Sequence, residues 1–262
     1  MVGVDPLTIL NIKEVITVLD IHSHILPKFD DGSKSTEMSL QMLKSSAEQG
    51  VTTIVSTSHF YADSESPEQF LRRRHSARHR LESRLSGSEP DILYGAEVLY
   101  YPGISHSDEV SKLAIESTSL ILIELPFTPW SESIFDELIA FQYNHKLNIV
   151  LAHVERYLDI QKRSIYRTML DQPFLFQCNA EAFTMRRTRK LAMELMDNEM
   201  LHFLGTDCHN VTDRAPNMNK AQEVVEKRLS PRAWQALINN SSELFDRHKS
   251  DYSSGILDWY IL

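Results

Sequence analysis

Short β-branched or aliphatic runs alternate along this 262-residue chain with longer stretches of helical periodicity. Val15-Ile16-Thr17-Val18-Leu19 reads as a strand buried on both faces, leading to His22 and His24 at its far end. Six further strands are expected at residues 51–58, 91–98, 120–123, 147–152, 174–178 and 201–206. Helices are expected from a Ser35 cap to Gly50, from Pro67 to about Leu85, and over 131–145 and 185–196. The remainder reads as helix over 218–228, again after Pro231, and a short one from Ser241. Strands that alternate with helices are parallel and joined by crossovers. Seven such units suit a closed or nearly closed α/β barrel better than an open doubly wound sheet. A single barrel domain over 15–248 is expected, with an extension at 1–14 and a tail at 249–262.

Composition narrows the class without deciding it. The chain is 42% hydrophobic and 24% charged, as globular proteins are. A net charge of −9 disfavours general affinity for nucleic acid but leaves room for a local basic site. Neither G-x-G-x-x-G nor a P-loop occurs, so nucleotide binding has no support. Two cysteines, Cys178 and Cys208, give no disulfide framework, consistent with a reducing cytoplasm. Residues 120–127, the most apolar run, are too few to span a bilayer and carry Glu124. Asp5, Lys13 and Glu14 interrupt the N-terminal stretch where a leader would need a long apolar core. A soluble, cytoplasmic protein without membrane insertion is the expectation.

The chemistry-bearing residues gather at the carboxyl ends of the expected strands. His22 and His24, at i and i+2, project from one face of the first strand. Asp20 shares that face and is placed to orient one imidazole, and the Asp30-Asp31-Gly32 turn returns more carboxylate oxygen. His59, Glu97, Glu124 and His153 end the next four strands, and Asp207 and His209 end the last. A lone histidine in such a place is most often a packed core residue. So many acids and imidazoles at one barrel mouth need partners, and divalent metals supply them. His22, His24, Asp31, His59, Glu97, Glu124, His153, Asp207 and His209 exceed the needs of one ion, so two or three ions with a bridging carboxylate are inferred. Mixed ligation of this kind suits zinc, manganese or iron. Such ions generate hydroxide at neutral pH and clamp phosphoryl oxygens. Arg156 and Arg214, in nearby loops, have the planar fork of donors that grips phosphate, though either could serve only a surface ion pair.

Asp20-Ile-His22-Ser-His24 with Asp30-Asp31-Gly32, Ser-Thr-Ser-His59, Tyr-Gly-Ala-Glu97, Ile-Glu124-Leu-Pro, Ala-His153-Val-Glu-Arg156-Tyr and Thr-Asp207-Cys-His209-Asn with Arg214 resemble the polymerase-and-histidinol-phosphatase (PHP) superfamily. Within it the chain is most similar to the bacterial manganese-dependent protein-tyrosine phosphatases of capsular and extracellular polysaccharide synthesis. The resemblance runs from about residue 20 to 244. It implies a distorted (β/α)7 barrel with an outer ring of helices, a trinuclear site, and metal-dependent hydrolysis of phosphomonoesters. His22, His24, Glu97 and Asp207 would hold one ion; Glu97 would bridge to another beside Glu124 or His153; Asp31, His59 and His209 would serve the rest. Arg156 and Arg214 match the positions expected to grip phosphate. The implied substrate is the phosphotyrosine tail of a membrane tyrosine autokinase, with manganese as the metal. Histidinol phosphate or a sugar phosphate is the alternative substrate within the same chemistry, and a metal domain serving a polymerase is the alternative class.

Three other signals carry less. The arginine cluster from Arg72 to Arg84 could steer an acidic or phosphorylated tail, or could form a solvated helix face. The apolar tail 256–262 could dock on its own barrel or on another subunit. Cys208 and Arg214 also spell C-x5-R, the spacing of cysteine-dependent tyrosine phosphatases. The residues between them include no glycine, and the flanking Asp207 would oppose thiolate formation. Cys208→Ser is therefore expected to retain most phosphatase activity, whereas His22→Ala or Asp207→Ala abolishes it. A Cys208→Ser protein that is inactive with its full metal complement would reverse that assignment.

Overall fold

The computed structural model describes residues 17–254. Nine short parallel strands trace the seven courses expected. β1 (Leu19–Ser23), β2 (Thr53–Ser56) and β4 (Asp91–Tyr94) pair in that order. β3 (His59–Phe60), β5 (Glu97–Leu99), β6 (Leu120–Glu124), β7 (Asn148–Leu151), β8 (Leu175–Asn179) and β9 (Phe203–Gly205) form a second sheet, also in that order. Residues 15 and 16 of the first expected strand lie outside the described residues.

The two sheets close on one another. Asp207 N donates to His22 O at 2.7 Å, and His24 N donates to Cys208 O at 2.9 Å. Ser23 bridges to Cys208. Asp20 strengthens this seam by accepting from Thr206 N (2.8 Å) and Thr206 Oγ1 (2.6 Å). Its carboxylate therefore ties the first strand to the last. It does not orient an imidazole as expected; toward His22 it accepts only from the backbone N, at 3.3 Å.

The expected strands 51–58 and 91–98 each break in two. The register is the same on both sides of the break: Thr53 lies opposite Asp91, and His59 lies opposite Glu97. The pair is thus bent, not slipped. At the bend Glu97 N is shared between Thr57 O (3.0 Å) and Ser58 O (3.1 Å). Gly95 O accepts from Arg74 Nη1 at 3.0 Å, which gives this buried guanidinium its partner. Other arginines of α2 (Pro67–Glu82) are similarly engaged: Arg78 with Glu82 and Glu116, Arg80 with Pro27 O, Arg73 with Phe29 O and Glu65. That cluster pins the helix to the loops beneath it.

Alternation along the strands sorts the core. Ile54, Ile121, Ile123, Ile149 and Leu151 face the surrounding helices. Val55, Leu122, Val150 and Phe203 fill the barrel interior together with Phe245 of the last helix. Each interior row climbs from an apolar floor to a polar mouth. Leu120 and Leu122 lead to Glu124, Leu175 leads to Gln177 and Asn179, and Phe203 leads through Gly205 to Asp207.

The helical ring differs from expectation at several points. α1 (Thr36–Glu48) is capped by Ser35, whose side chain accepts from Met38 N, and α3 (Ser133–His145) is as expected. The chain between β7 and β8 holds an unexpected helix, α4 (Arg163–Leu170). The helix expected over 185–196 is α6 (Arg189–Asp197), which starts four residues later, and an unexpected short helix, α5 (Glu181–Thr184), precedes it. After α7 (Met218–Arg228), the two helices expected beyond Pro231 are one, α8 (Pro231–Ser254). Its polar stretch at Asn239-Asn240-Ser241 suggested an interruption by propensity. Burial of Trp234, Leu237, Ile238 and Phe245 on one side carries the helix through, and Ser241 Oγ donates to His202 O at 2.7 Å.

His202 supplies a pH test of this end of the barrel. Burial pushes its imidazole down to about 4, and Nδ1 accepts from Phe176 N at 2.9 Å, which requires the neutral ring. The unfolded chain takes up this proton near its ordinary value of about 6.5, so it binds more protons than the folded chain between the two values. The His202 contribution is present above about pH 6.5 and lost as pH falls toward 4, with a ceiling on the order of 3 kcal/mol. Denaturant melts of wild type and His202→Gln across this range should show a flatter pH profile for the variant; parallel profiles would refute this account.

Candidate metal centre

All nine of the expected ligands, and both arginines, meet at the mouth of the barrel. Glu97 lies at their centre. Its Oε2 is 3.2 Å from His22 Nε2, 3.2 Å from His24 Nε2 and 3.0 Å from His59 Nδ1, while Oε1 is 2.9 Å from His153 Nε2. His153 Nε2 also approaches Glu124 at 3.3 Å. Asp207 Oδ1 stands 3.7 Å from His22 Nε2, 3.5 Å from His24 Nε2 and 3.5 Å from His209 Nδ1. Asp31, at the solvent edge, is 3.5 Å from His59 and 3.3 Å from His209.

Three groups of donor atoms, each within 4.8 Å of one another, could hold cations: His22, His24 and Asp207; His59, Glu97 and Glu124; and His24, Asp31, His59 and His209. Shared imidazoles make the groups adjoin. The hydrogen bonds behind the ligands fit this use. His22 Nδ1 meets Gln177 Oε1 at 3.2 Å, His24 Nδ1 meets Asp30 Oδ2 at 2.9 Å, and His209 Nδ1 meets Asp207 O at 2.9 Å. Those partners accept only, so each neutral ring carries its proton on Nδ1 and turns the Nε2 lone pair into the cluster. Three buried atoms there lack any aligned hydrogen bond: Glu97 Oε2, His59 Nδ1 and His209 Nε2. Glu97 Oε2 and His59 Nδ1 are close yet misaligned. Atoms that converge on a common point without bonding one another suit ligation to cations.

Local backbone is bent to this purpose. His153 (φ 32°) and Asp207 (φ 50°) both occupy the left-handed region, which costs about 1–3 kcal/mol for a non-glycine residue. Gln177 Oε1 accepts from His153 N at 2.7 Å and the His22 carbonyl accepts from Asp207 N, which hold the two conformations. Two glycines admit the close approach of chains. A Cβ on Gly32 would lie 2.3 Å from His24 O, and one on Gly205 would lie 2.5 Å from His22 Cβ. The glycine of Asp30-Asp31-Gly32 thus lets the loop fold down over His24.

The charge balance is tight. Burial pushes His24 down, but its hydrogen bonds to Asp30 and Glu97 outweigh this and raise it to about 10. His153 rises to about 9 for the like reason, with Glu124 and Glu97 opposing burial. Burial would raise Glu97, yet the surrounding imidazoles hold it well below the usual carboxylate range. His209 is pushed down to about 4 by burial and by the neighbouring His24, on which its ring stacks at 3.9 Å. Ligand nitrogens must be free of protons, so cation binding here displaces them.

Arg156 Nη2 bonds Asp207 Oδ2 at 2.7 Å, and Arg214 Nη2 bonds Asp207 Oδ1 at 2.8 Å. Beyond Arg156 opens a cavity of about 290 Å³, lined by Phe127, Asn179, Met185 and Arg187 among others. Phe127 stacks on His153 at 5.8 Å, and both Phe127 and Met185 are 47% exposed. On the opposite side Tyr61 stacks on His59 at 5.3 Å. Cys208 is fully buried, and burial with the nearby Asp20 carboxylate raises its thiol far above the usual range.

Sequence reasoning missed the residues that hold the ligands. Gln177 and Asn179 form a relay: Gln177 Nε2 donates to Asn179 Oδ1 at 2.9 Å, and Asn179 Nδ2 donates to Asp207 Oδ2 at 2.9 Å. Polar residues at i and i+2 on the end of an otherwise apolar strand were the available signal. Asp30, beside the expected Asp31, braces both His24 and the backbone N of His59 (3.1 Å).

Residues 18–246 match the family model described as capsular polysaccharide synthesis, CpsB/CapC. The tyrosine-protein phosphatase CpsB of Streptococcus agalactiae is 30% identical over 251 residues, covering 88% of this chain and 99% of that protein. The tyrosine-protein phosphatase YwqE of Bacillus subtilis is 27% identical over 238 residues, covering 87% and 91%. The solved structures of YwqE from Bacillus subtilis and CpsB from Streptococcus pneumoniae, metal-dependent tyrosine phosphatases, include a chain that superposes with a TM-score of 0.73. It shares 24% identity, covers 88% of this chain and 94% of its own, and has the same fold.

If the mouth holds cations only when folded, they stabilise the fold by mass action. Adding manganese or zinc to chelator-treated protein at about a hundredfold over the dissociation constant should contribute about 2.7 kcal/mol, or roughly 5–10 °C in Tm. An unchanged melting curve, with metal removal and reloading verified by elemental analysis, would count against the site.

Proposed function

The chain belongs to the capsular polysaccharide synthesis CpsB/CapC family, and on that premise we propose that it is a metal-dependent protein-tyrosine phosphatase, hydrolysing the phosphomonoester of phosphotyrosine. The observation that carries this reading is the joining of three adjoining donor groups to two arginine forks on a single carboxylate, Asp207. We assign manganese as the metal, a tyrosine autokinase tail as the substrate, and the cytoplasm as the location. No helix among the described residues is long and apolar enough to cross a membrane.

Bound in these groups, divalent ions would supply an activated water at neutral pH and neutralise charge on the phosphoryl oxygens. The protein's own residues do the rest. Gln177, Asp30 and the Asp207 carbonyl fix the tautomers of His22, His24 and His209, so the donor atoms stay aimed without substrate. Arg156 and Arg214 each keep donors beyond those spent on Asp207, and these are placed to take the non-bridging oxygens of phosphate. The Phe127–Met185 cleft beside Arg156 offers an apolar wall to the ring of the leaving group. A phenol, with a pKa near 10, departs with little need for a strong general acid.

The clamp is testable at Arg214, which is half exposed and can be shortened without opening the core. Arg214→Ala should retain its metal content and lose about 2–4 kcal/mol of transition-state stabilisation, a fall of roughly 30- to 1,000-fold in kcat/KM on a phosphotyrosine peptide. Full activity at saturating metal would remove Arg214 from the site.

A further inference from the structure

Outside the metal centre, a second cavity of about 460 Å³ lies between α4 and α6, and its lining is strongly basic. Arg163, Arg167, Arg187 and Lys190 stand around it, over a floor that includes Leu158 and Leu191. Arg187 pairs with Asp159, and Lys190 lies 3.5 Å from Glu194. Arg163 and Arg167, one turn apart on α4, have no carboxylate partner within 4.0 Å among the described residues. Unpaired arginines side by side on a helix face repel one another. In a chain of net charge −9 they form an island of opposite sign.

Its position gives the island a use. Arg187 lines this cavity and also the 290 Å³ cleft, whose inner end is Arg156, bonded to Asp207. The two cavities therefore adjoin at Arg187, the inner one beside Arg156 and the outer one between α4 and α6. A small phosphate ester would end within the inner cleft. A peptide would continue past Arg187 onto the apolar floor between the cationic side chains.

We infer that this groove is a docking surface for the acidic residues flanking phosphotyrosine in a peptide substrate, read through Arg163 and Arg167. The inference rests on the phosphatase reading of the metal centre and adds to it a preference for Asp- and Glu-rich sequence. Attraction between exposed charges acts on capture more than on chemistry, so the effect belongs in KM and fades with salt.

The test uses the full chain loaded with manganese and two phosphotyrosine peptides of equal length, one flanked by Asp and Glu, the other by Asn and Gln. At low salt, wild type should favour the acidic peptide about tenfold in kcat/KM through KM, and about 0.5 M salt should erase the advantage. Arg163→Glu with Arg167→Glu should abolish the preference while turning over p-nitrophenyl phosphate like wild type. Equal use of the two peptides by wild type, or a preference that survives both substitutions, overturns the inference and leaves the phosphatase reading intact. If wild type hydrolyses no substrate, the phosphatase reading falls instead. Fluorescence polarisation with a labelled, unphosphorylated acidic peptide then decides the groove. Binding lost in the double variant upholds the docking surface, and no binding to wild type refutes it.

Discussion

A single buried carboxylate, Glu97, sits within 3.2 Å of ring nitrogens from His22, His24, His59 and His153, which arrive on three different strand courses. A charge in that position cannot be left alone: desolvation of an isolated carboxylate costs several kcal/mol, and only counter-charge and ligation offset it. Much of the surrounding architecture can be understood as holding that arrangement. The left-handed backbone at His153 and Asp207, the close passage at Gly32 and Gly205, and the Gln177–Asn179 relay all keep donor atoms converged that would otherwise separate.

The legibility of this chain followed the physical range of each signal. Parallel barrel topology shows in local patterning, because strands buried on both faces read as continuous apolar runs and crossover helices read at their own period. The mouth was equally legible, since His22 and His24 share a face by spacing alone and the other donors end successive strands. The bend at residues 57–58 and 95–96 was not, because it preserves register and therefore alternation. The continuity of α8 was hidden by Asn239-Asn240-Ser241, where tertiary burial overrides local preference. Gln177 and Asn179 escaped notice because an amide carries no chemistry by itself; its role appears only when its partners are placed in space.

The arginines of α2 show how composition alone misleads. Read as a run of charge they suggest an electrostatic lure. In the fold, Arg73, Arg74 and Arg80 end on backbone carbonyls of Phe29, Gly95 and Pro27. Among the described residues the two arginines of α4 have no such partner, although the sequence around them has no conspicuous cluster. What distinguishes a binding surface from a brace is whether the carbonyls and carboxylates within reach are already engaged.

The closure between β1 and β9 has a mechanical meaning. The sheet carrying His22 and the sheet leading to Asp207 meet through backbone hydrogen bonds at His22 and His24, and through the grip of Asp20 on Thr206. His22 and His24 stand on one bank of this seam and Asp207 on the other, so an ion shared among them would act as a rivet across it. The same atoms that prepare the chemistry would then decide whether the barrel behaves as one closed ring or as two curved plates hinged along their edge.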